Sequence, residues 1–249
     1  MQPIILHIPH SSISIPNYNG YVDNVELIDN EVELLTDWYT HELFYSENDI
    51  TVKADFSRIF CDVERFADDE QELMARYGMG VLYEKTDSGK FLRAITPDLR
   101  GEILSKYYWP HHNRLENAVE DQLQHYGKSL IVDCHSFSDI PFQRDLNQQS
   151  NRPHINIGTD SFHTPKHLVD FTVDFFERHK LTVGINWPYS GTMVPLKYYQ
   201  KDSRVNSIMI EVNRKLYLTN GSNQKSEDFS LVKKLLSVYF FQRIKMLSR

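Results

Sequence analysis

Two histidines directly follow short apolar segments that have the composition of β-strands. His10 follows the segment 3–8, which Pro9 ends, and His135 follows the segment 129–134. In open α/β sheets, ligands bind beyond the carboxyl ends of the strands, so both imidazoles are expected in a cleft. Imidazole is a common zinc ligand, and the ligands of a catalytic site need not be close in sequence. We therefore predict that His10 and His135 share one zinc ion.

Three carboxylates could complete the chemistry of such a site. Asp62 and Glu64 lie two residues apart at the end of a predicted strand, so either could be the acidic ligand that a catalytic zinc needs. The alternative is an ion-pair cluster with Arg58 and Arg65. Glu211 is an isolated carboxylate in an apolar segment, where burial is costly unless the group has a partner or a function. We favour Glu211 as a general base beside a metal-activated water, and the alternative is a structural pair with Arg214.

The elements that must position these residues alternate between strand and helix patterns. Strands are predicted over 3–8, 53–63, 129–134, 154–157, 182–185 and 207–212, and helices over 24–47, 98–126, from 164, and over 229–247. Pro110 is expected to interrupt the second of these helices. Such alternation is typical of an α/β sheet with helices on both faces. Because no repeat or linker-like segment divides the sequence, a single catalytic domain is predicted over residues 1–249.

Composition excludes several classes of function. The net charge is −7, and the first 51 residues contain nine Asp and Glu but no Lys or Arg, which argues against a nucleic-acid-binding arm. Cys61 and Cys134 are both in apolar segments, as expected of free buried thiols in a reducing compartment. No apolar run approaches the length of a membrane span. The sequence therefore predicts a cytoplasmic protein that binds neither nucleic acid nor a membrane.

Several segments resemble part of a common enzyme motif but lack a residue that the motif requires. The segment 78–83 lacks the last glycine of a dinucleotide-binding turn, and Gly89 lacks the earlier glycine of a phosphate loop. His41 is not followed by the second histidine of a helical zinc motif, and no nucleophile elbow surrounds Ser190. Residues 111–112 are histidines in a predicted helix, which we interpret as a packed or exposed pair.

Taken together, six segments resemble the N-formylglutamate amidohydrolase family. They are IPHSS (8–12), CDVER (61–65), VDCHS (132–136), NIGT (156–159), PYSG (188–191) and MIEVNR (209–214), and they occur in the family's order over most of the chain. The family is similar in fold to zinc carboxypeptidases and to acyl-amino-acid deacylases. The resemblance implies an α/β fold of three layers, with a mixed, largely parallel central sheet of the zinc-carboxypeptidase or phosphorylase-hydrolase type.

The same resemblance implies an activity and a set of roles. It implies hydrolysis of an acidic N-acyl amino acid such as N-formyl-L-glutamate to formate and the free amino acid, within amino-acid metabolism and specifically histidine degradation. His10 and His135 would hold one zinc ion, Glu211 would be the general base, and Arg65 would anchor the substrate. Arg58 or Arg65 could stabilise the oxyanion, while Arg65, Arg93 or Arg214 could bind substrate carboxylates. Tyr189 could close over the substrate.

Two positions depart from the family's pattern. The related carboxypeptidases have an acidic ligand three residues after the first histidine, where this chain has Ile13. We therefore expect Asp62, ahead of Glu64, to be the third ligand, unless Asp62 instead orients the His10 imidazole. The family's D-x-N-R motif has Glu64 in place of the asparagine. This acid, expected at the substrate, favours the alternative of a peptidase or of a deacylase for another N-acyl amino acid. A non-catalytic binder of acidic metabolites is the alternative of a different class.

Overall fold

The computed structural model describes residues 2–247 of the chain, with side-chain surroundings for residues 2–240. The strands are β1 (Ile5–Ile8), β2 (Ile50–Lys53), β3 (Ser129–Phe137), β4 (Ile155–Gly158), β5 (Val183–Ile185) and β6 (Val205–Asn213). The helices are α1 (Val25–Leu35), α2 (Thr40–Leu43), α3 (Pro97–Ile103), α4 (Trp109–Tyr126), α5 (Lys166–Arg178) and α6 (Phe229–Leu247). A π-helical turn, Leu104–Tyr108, joins α3 to α4. No helix in the described part of the chain is both long and apolar enough to cross a membrane.

The strands form one sheet in the order β2-β1-β3-β6-β4-β5. All neighbouring pairs are parallel except β4 and β6, which are antiparallel. The prediction of a mixed, largely parallel sheet in an α/β fold is therefore confirmed. Strands β1, β3 and β6 lie side by side at its centre, which brings the segments that end near His10, His135 and Glu211 together.

One face of the sheet is apolar across β1, β3, β6 and β4. Alternate residues of the central strands, such as Leu6, Val132 and Ile210, are fully buried there. They pack against aromatic residues of α5 and α6, among them Phe176 and Tyr239. This face is the larger part of the hydrophobic core.

The opposite face is mainly apolar at the end where the strands begin. Ile5, Ile131 and Val205 pack there against Leu115 and Val119 of α4. Further along the same strands, most side chains that share this face are polar, with Met209 and Phe137 as apolar exceptions. The polar ones are listed here in strand order: His7 on β1, Asp133 and His135 on β3, Glu211 and Asn213 on β6, and Asn156 on β4. All of them are buried. Because side chains alternate between the two faces with a period of two residues, the larger apolar core and this polar layer lie on opposite sides of the sheet.

Several boundaries differ from the sequence prediction. The predicted strand over 53–63 is wrong, because β2 ends at Lys53 and the segment 54–63 forms turns. Its apolar residues, including Phe56 and Phe60, are buried in a separate cluster with Ile103, not in the sheet. The helix predicted over 24–47 is divided into α1 and α2. Pro110 lies in the first turn of α4, directly after the π-helical turn. This turn is where the regular α-helix predicted over 98–126 is interrupted.

Candidate metal and catalytic site

Register places two of the predicted residues side by side. His135 of β3 is paired with Glu211 of β6, and two residues earlier Asp133 of β3 is paired with His7 of β1. His10 lies just beyond the end of β1, where its carbonyl accepts a hydrogen bond of 2.9 Å from the backbone of Asp37. That bond fixes the turn between α1 and α2 against the sheet. The carboxylate of Asp37 is thereby brought to the two imidazoles.

His10, Asp37 and His135 form a group that could hold a metal ion. One ligand atom from each lies within 4.8 Å of the others, and all three side chains are buried. The Oδ2 atom of Asp37 is 3.1 Å from Nδ1 of His135 and 3.8 Å from Nδ1 of His10. Among the described residues, Nδ1 of His10 has no hydrogen-bond partner although it is buried. An orphaned imidazole nitrogen beside a second imidazole and a carboxylate is the donor set that zinc binds, so these residues fit a metal ion.

The other nitrogen of each imidazole is bound to a carboxylate. Nε2 of His10 is 2.8 Å from Oδ1 of Asp62, and Nε2 of His135 is 3.1 Å from Oδ1 of Asp133. A proton on each Nε2 satisfies these bonds and leaves the Nδ1 lone pairs for a metal. Pairing of this kind orients ligating histidines and raises their basicity. The positions of Asp62 and Asp133 are therefore those of supporting groups.

Asp62 was predicted as the third ligand, and the structure places it behind His10 instead. Its Oδ2 atom accepts hydrogen bonds from Nη2 of Arg58 at 2.9 Å and from the Tyr83 hydroxyl at 2.9 Å. Burial raises the pKa of Asp62, but the charges of Arg58 and His10 outweigh it and hold the pKa well below its usual value. Both oxygens are thus engaged. Asp62 is therefore better described as an ion-pair partner of Arg58 and a support for His10 than as a metal ligand.

Glu64 lies against imidazoles and also borders open space. Its oxygens are 3.2 Å from Nε2 of His135, 3.7 Å from Nδ1 of His7 and 3.8 Å from Nδ1 of His10. The His7 ring continues this polar layer, because its Nδ1 is 2.8 Å from Oδ1 of Asp133 and its Nε2 is 2.9 Å from Nε2 of His111. His111 is therefore part of a buried hydrogen-bonded chain, which accords with its interpretation as a packed residue.

Glu211 is buried, and its Oε2 atom has no partner among the described residues. Burial raises its pKa to about 8, and His135 opposes this shift while Asp37 and Glu64 add to it. Arg214 does not pair with Glu211. Its guanidinium donates to Oδ1 of Asp37 at 3.0 Å, which leaves the carboxyl of Glu211 available for chemistry. A carboxyl with a pKa near neutrality is suited to accepting and returning a proton.

These groups border a cavity of about 390 Å³. Most of the residues predicted for the site line it: His10, Arg58, Glu64, Arg65, His135, Tyr189, Glu211 and Arg214. Asp37 also lines it. Arg93 was predicted to bind substrate, but the structure does not bring it to the cavity. It is fully buried elsewhere, where Nη1 donates to the Tyr21 hydroxyl and to the Phe60 carbonyl.

Comparison with known sequences now decides the family. A sequence profile of the N-formylglutamate amidohydrolases matches residues 2–218, which is most of the chain. The chain belongs to the N-formylglutamate amidohydrolase family. The matched range contains every residue described above at the metal group and the cavity. None of the curated proteins matches the chain significantly.

Two solved structures are similar in fold to this member of the family. The crystal structure of N-formylglutamate amidohydrolase from Ralstonia eutropha JMP134 superposes with a TM-score of 0.87, at 23% identity, over 100% of this chain and 95% of that one. The crystal structure of a gene product from Agrobacterium tumefaciens superposes with a TM-score of 0.67, at 17% identity, over 100% of this chain and 92% of that one. Both support the fold assigned above.

Tyr189 lies at the rim of the cavity and is tied to a neighbouring loop. Its hydroxyl is 3.0 Å from both carboxylate oxygens of Asp145, and Nη1 of Arg152 donates to the same hydroxyl at 3.2 Å. Burial raises the pKa of Tyr189, and the charge of Asp145 adds to the shift, so the hydroxyl stays protonated. This position is compatible with the predicted contact between Tyr189 and a substrate.

Proposed function

We propose that this protein is a zinc-dependent amidohydrolase that converts N-formyl-L-glutamate to formate and glutamate. The observation that carries the proposal is the buried, unpartnered Nδ1 of His10 beside Asp37 and His135, with the unpaired carboxyl of Glu211 on the adjacent strand. Membership of the family supports the reaction and the substrate. The proposal uses His10, His135 and Glu211 as the sequence predicted, and it replaces Asp62 by Asp37 as the acidic ligand.

The charges around His135 favour a cation at this position. Burial lowers the pKa of His135, but Glu64 and Asp133 outweigh it and raise the pKa well above its usual value. A metal ion can take the place of the imidazole proton in such surroundings. Two nitrogens and one carboxylate oxygen, with room for a further ligand in the cavity, match a catalytic zinc site. Bound there, zinc would polarise the amide carbonyl and lower the pKa of a water molecule toward about 7.

Glu211 moves the proton in the proposed reaction. Its carboxylate takes a proton from the attacking water as the water oxygen bonds to the formyl carbon. The same proton then passes to the amide nitrogen as the C–N bond breaks, so formate and the free amine leave. The carboxyl of Glu211 lies beside His135 on the adjacent strand, and its Oε2 atom has no partner among the described residues, so it is placed for both steps.

Two arginines complete the proposed site. Arg58 donates Nε and Nη2 to Asp62, at 3.2 Å and 2.9 Å, which leaves Nη1 to stabilise the oxyanion that forms on the carbonyl. The guanidinium of Arg65 is 3.7 Å from the nearest oxygens of Asp62 and Glu72, too far for hydrogen bonds. Its donors are therefore free to bind the α-carboxylate of a substrate.

A second candidate function keeps the metal group and changes the substrate. Glu64 adds a carboxylate at the cavity, which favours a peptide or another N-acyl amino acid over a simple acidic substrate. Its oxygens face imidazoles, however, and so its charge is offset within the protein. We therefore keep N-formyl-L-glutamate as the first substrate to test.

A turnover screen tests the proposal directly. Zinc-loaded protein is assayed for amine release from a panel of N-formyl and N-acetyl amino acids and from short peptides. We expect N-formyl-L-glutamate to be hydrolysed, activity to be lost with a chelator, and activity to return when zinc is restored. Full activity in a metal-free preparation would reject the metal site. Ligand-dependent thermal stabilisation without any turnover would instead support a binding protein.

A further inference from the structure

Four arginines line the cavity, and two of them are already committed to carboxylates of the protein. Arg58 is bound to Asp62, and Arg214 is bound to Asp37. Arg65 and Arg144 remain. Within the described part of the chain, no carboxylate lies within 4.0 Å of the Arg144 guanidinium. A cationic group that borders a cavity without a protein anion is a candidate receptor for an anion on the ligand.

The side chain of Arg144 is held in place by one loop. The Asp87 carboxylate accepts hydrogen bonds of 2.8 Å from the backbone of Gln143 and of 2.8 Å from the backbone of Arg144. The Nε atom of Arg144 donates to the Asp87 carbonyl at 3.1 Å, and its guanidinium lies 5.6 Å from the centre of the Tyr77 ring. These contacts use one of the five guanidinium donors, and they position the rest before any ligand binds.

Gly89 leaves the space that this guanidinium occupies. Its backbone has a φ of +83°, a conformation that favours glycine. A Cβ atom at this position would collide with Nη2 of Arg144. The loop is therefore shaped around the arginine both by its hydrogen bonds and by the absence of a side chain.

We propose that Arg144 binds the side-chain carboxylate of the substrate, so that the site selects N-acyl amino acids with two carboxylates. This assignment rests on the proposed function. Arg65 adjoins the metal group, since it is 3.7 Å from Asp62, which bonds to His10. It is therefore placed for the α-carboxylate, which is close to the scissile amide. Arg144 instead contacts Tyr77, Asp87 and Gly89, none of which belongs to the metal group, so we assign it the second carboxylate.

Two substrates that differ only in this charge test the assignment. N-formyl-L-glutamate and N-formyl-L-glutamine are compared on the zinc-loaded wild-type enzyme and on Arg144→Met. We expect the substitution to reduce kcat/KM for the glutamate substrate by about 100-fold, mainly through KM, because a charged hydrogen-bonded partner is lost. For the glutamine substrate we expect a change of less than about 3-fold, since no ionic contact is lost. Equal losses on both substrates, or none on either, would overturn the assignment.

Further variants separate recognition from folding. Arg178→Met, at an arginine whose side chain is 78% exposed, is the matched control and should leave both substrates unaffected. Arg144→Lys keeps the charge without the planar fork and should have an intermediate KM for N-formyl-L-glutamate. Gly89→Ala keeps Arg144 but fills its space, and should also raise this KM. Melting temperatures show whether each variant folds. If Arg144→Met does not fold, the two substrates are compared on Arg144→Lys and wild type instead.

Calorimetric binding distinguishes failure of this assignment from failure of the hydrolase proposal. If the wild-type protein hydrolyses nothing, the hydrolase is rejected, and the affinities for the two formyl amino acids are compared instead. Weaker binding of N-formyl-L-glutamate to Arg144→Met, with unchanged binding of N-formyl-L-glutamine, supports the assignment without turnover. A wild-type protein that binds both equally, or neither, contradicts it.

Discussion

On β6, Ile210 and Glu211 are neighbours in sequence but lie on opposite faces of the sheet. Ile210 is buried among apolar residues of β1, β3 and the helices α5 and α6. Glu211 is also buried, but it lies beside His135 and near Asp37 and Glu64. Both side chains are buried, but only that of Ile210 contributes hydrophobic stabilisation. The alternation of a strand thus lets two adjacent residues serve folding and chemistry separately.

The two faces are stabilised in different ways. An apolar side chain such as Ile210 contributes about 1.5–3 kcal/mol when it is fully buried. The buried acids of the polar face must offset desolvation with partners, as Asp62 does with Arg58 and Asp37 with Arg214. Glu211 has no such partner among the described residues, and burial raises its pKa to about 8. At these two positions, stability is therefore expected to come from Ile210 and function from Glu211.

Loss of the proposed acidic metal ligand, Asp37, should have the largest effect. Asp37→Asn removes a ligand charge, so we expect zinc content to fall from about one ion per chain and metal affinity to drop by more than about 100-fold. Asp62→Asn should weaken metal binding by only about 10- to 100-fold, because Asp62 orients His10 without ligating the metal. Elemental analysis and metal competition measure both, and Asp170→Asn at an exposed position is the control. A larger loss in Asp62→Asn than in Asp37→Asn would restore Asp62 as the ligand.

Loss of the general base should remove turnover without removing the metal. We expect Glu211→Gln to lower kcat by about 10²- to 10⁴-fold, the usual contribution of a positioned base. The free energy of unfolding should not fall, because a neutral amide replaces a carboxyl that burial already disfavours in its charged form. Steady-state kinetics, zinc analysis and urea denaturation measure the three quantities. Near-wild-type kcat in a zinc-loaded variant would exclude this role.

Substitution of the neighbouring residue should have the opposite result. Ile210→Ala should lower the free energy of unfolding by about 2–5 kcal/mol, because it leaves a cavity in the apolar core. Its kcat should stay within about 2-fold of wild type under conditions where the protein is folded, since Ile210 does not face the site. Urea denaturation and kinetics on the same preparation test this. A parallel loss of zinc or of kcat would show that the two faces are coupled.

The parts of the site that the sequence predicted are those that strand periodicity controls. His135 and Glu211 lie in the long central strands β3 and β6, which the apolar pattern predicts, although β3 continues to Phe137, beyond the predicted end at residue 134. His10 lies just after β1. The same period also places Asp133, two residues before His135, on the face of the site. The mixed, largely parallel character of the sheet follows from the family resemblance, whereas the order of the strands was not predicted.

The parts that were missed depend on contacts distant in sequence. Asp37 lies in a turn between two helices, and only its backbone bond to His10 brings it to the metal group. Asp62 was assigned from a strand that does not exist, since residues 54–63 form turns that pack on a separate cluster. Arg93 carries a charge suited to substrate binding, yet it is buried against Tyr21 and Phe60. Residue type alone does not separate such an arginine from Arg144.

The smallest expected effect on stability concerns Glu31, a buried acid of α1 that lies outside the sheet. Burial raises its pKa from 4.5 to about 7, and the charge of Asp87 adds to this shift, while a hydrogen bond of 2.6 Å from the Asp87 backbone opposes it. Because the pKa is higher in the folded state, the protonated carboxyl favours folding. That contribution is complete below the unfolded pKa of 4.5 and is lost as the pH rises to about 7.

Glu31→Gln should therefore stabilise the protein in a pH-dependent way. The amide oxygen can still accept the bond from Asp87, and no charge needs to be buried. We expect the variant to exceed wild type by about 2 kcal/mol in free energy of unfolding near pH 8, and by little near pH 5. Urea denaturation at both values measures the difference, with Glu33→Gln on the exposed side of α1 as the control. A difference that did not depend on pH would show that burial does not raise the pKa of Glu31. The partners of Glu31 would then offset the cost of burying its charge, as the partners of Asp62 do.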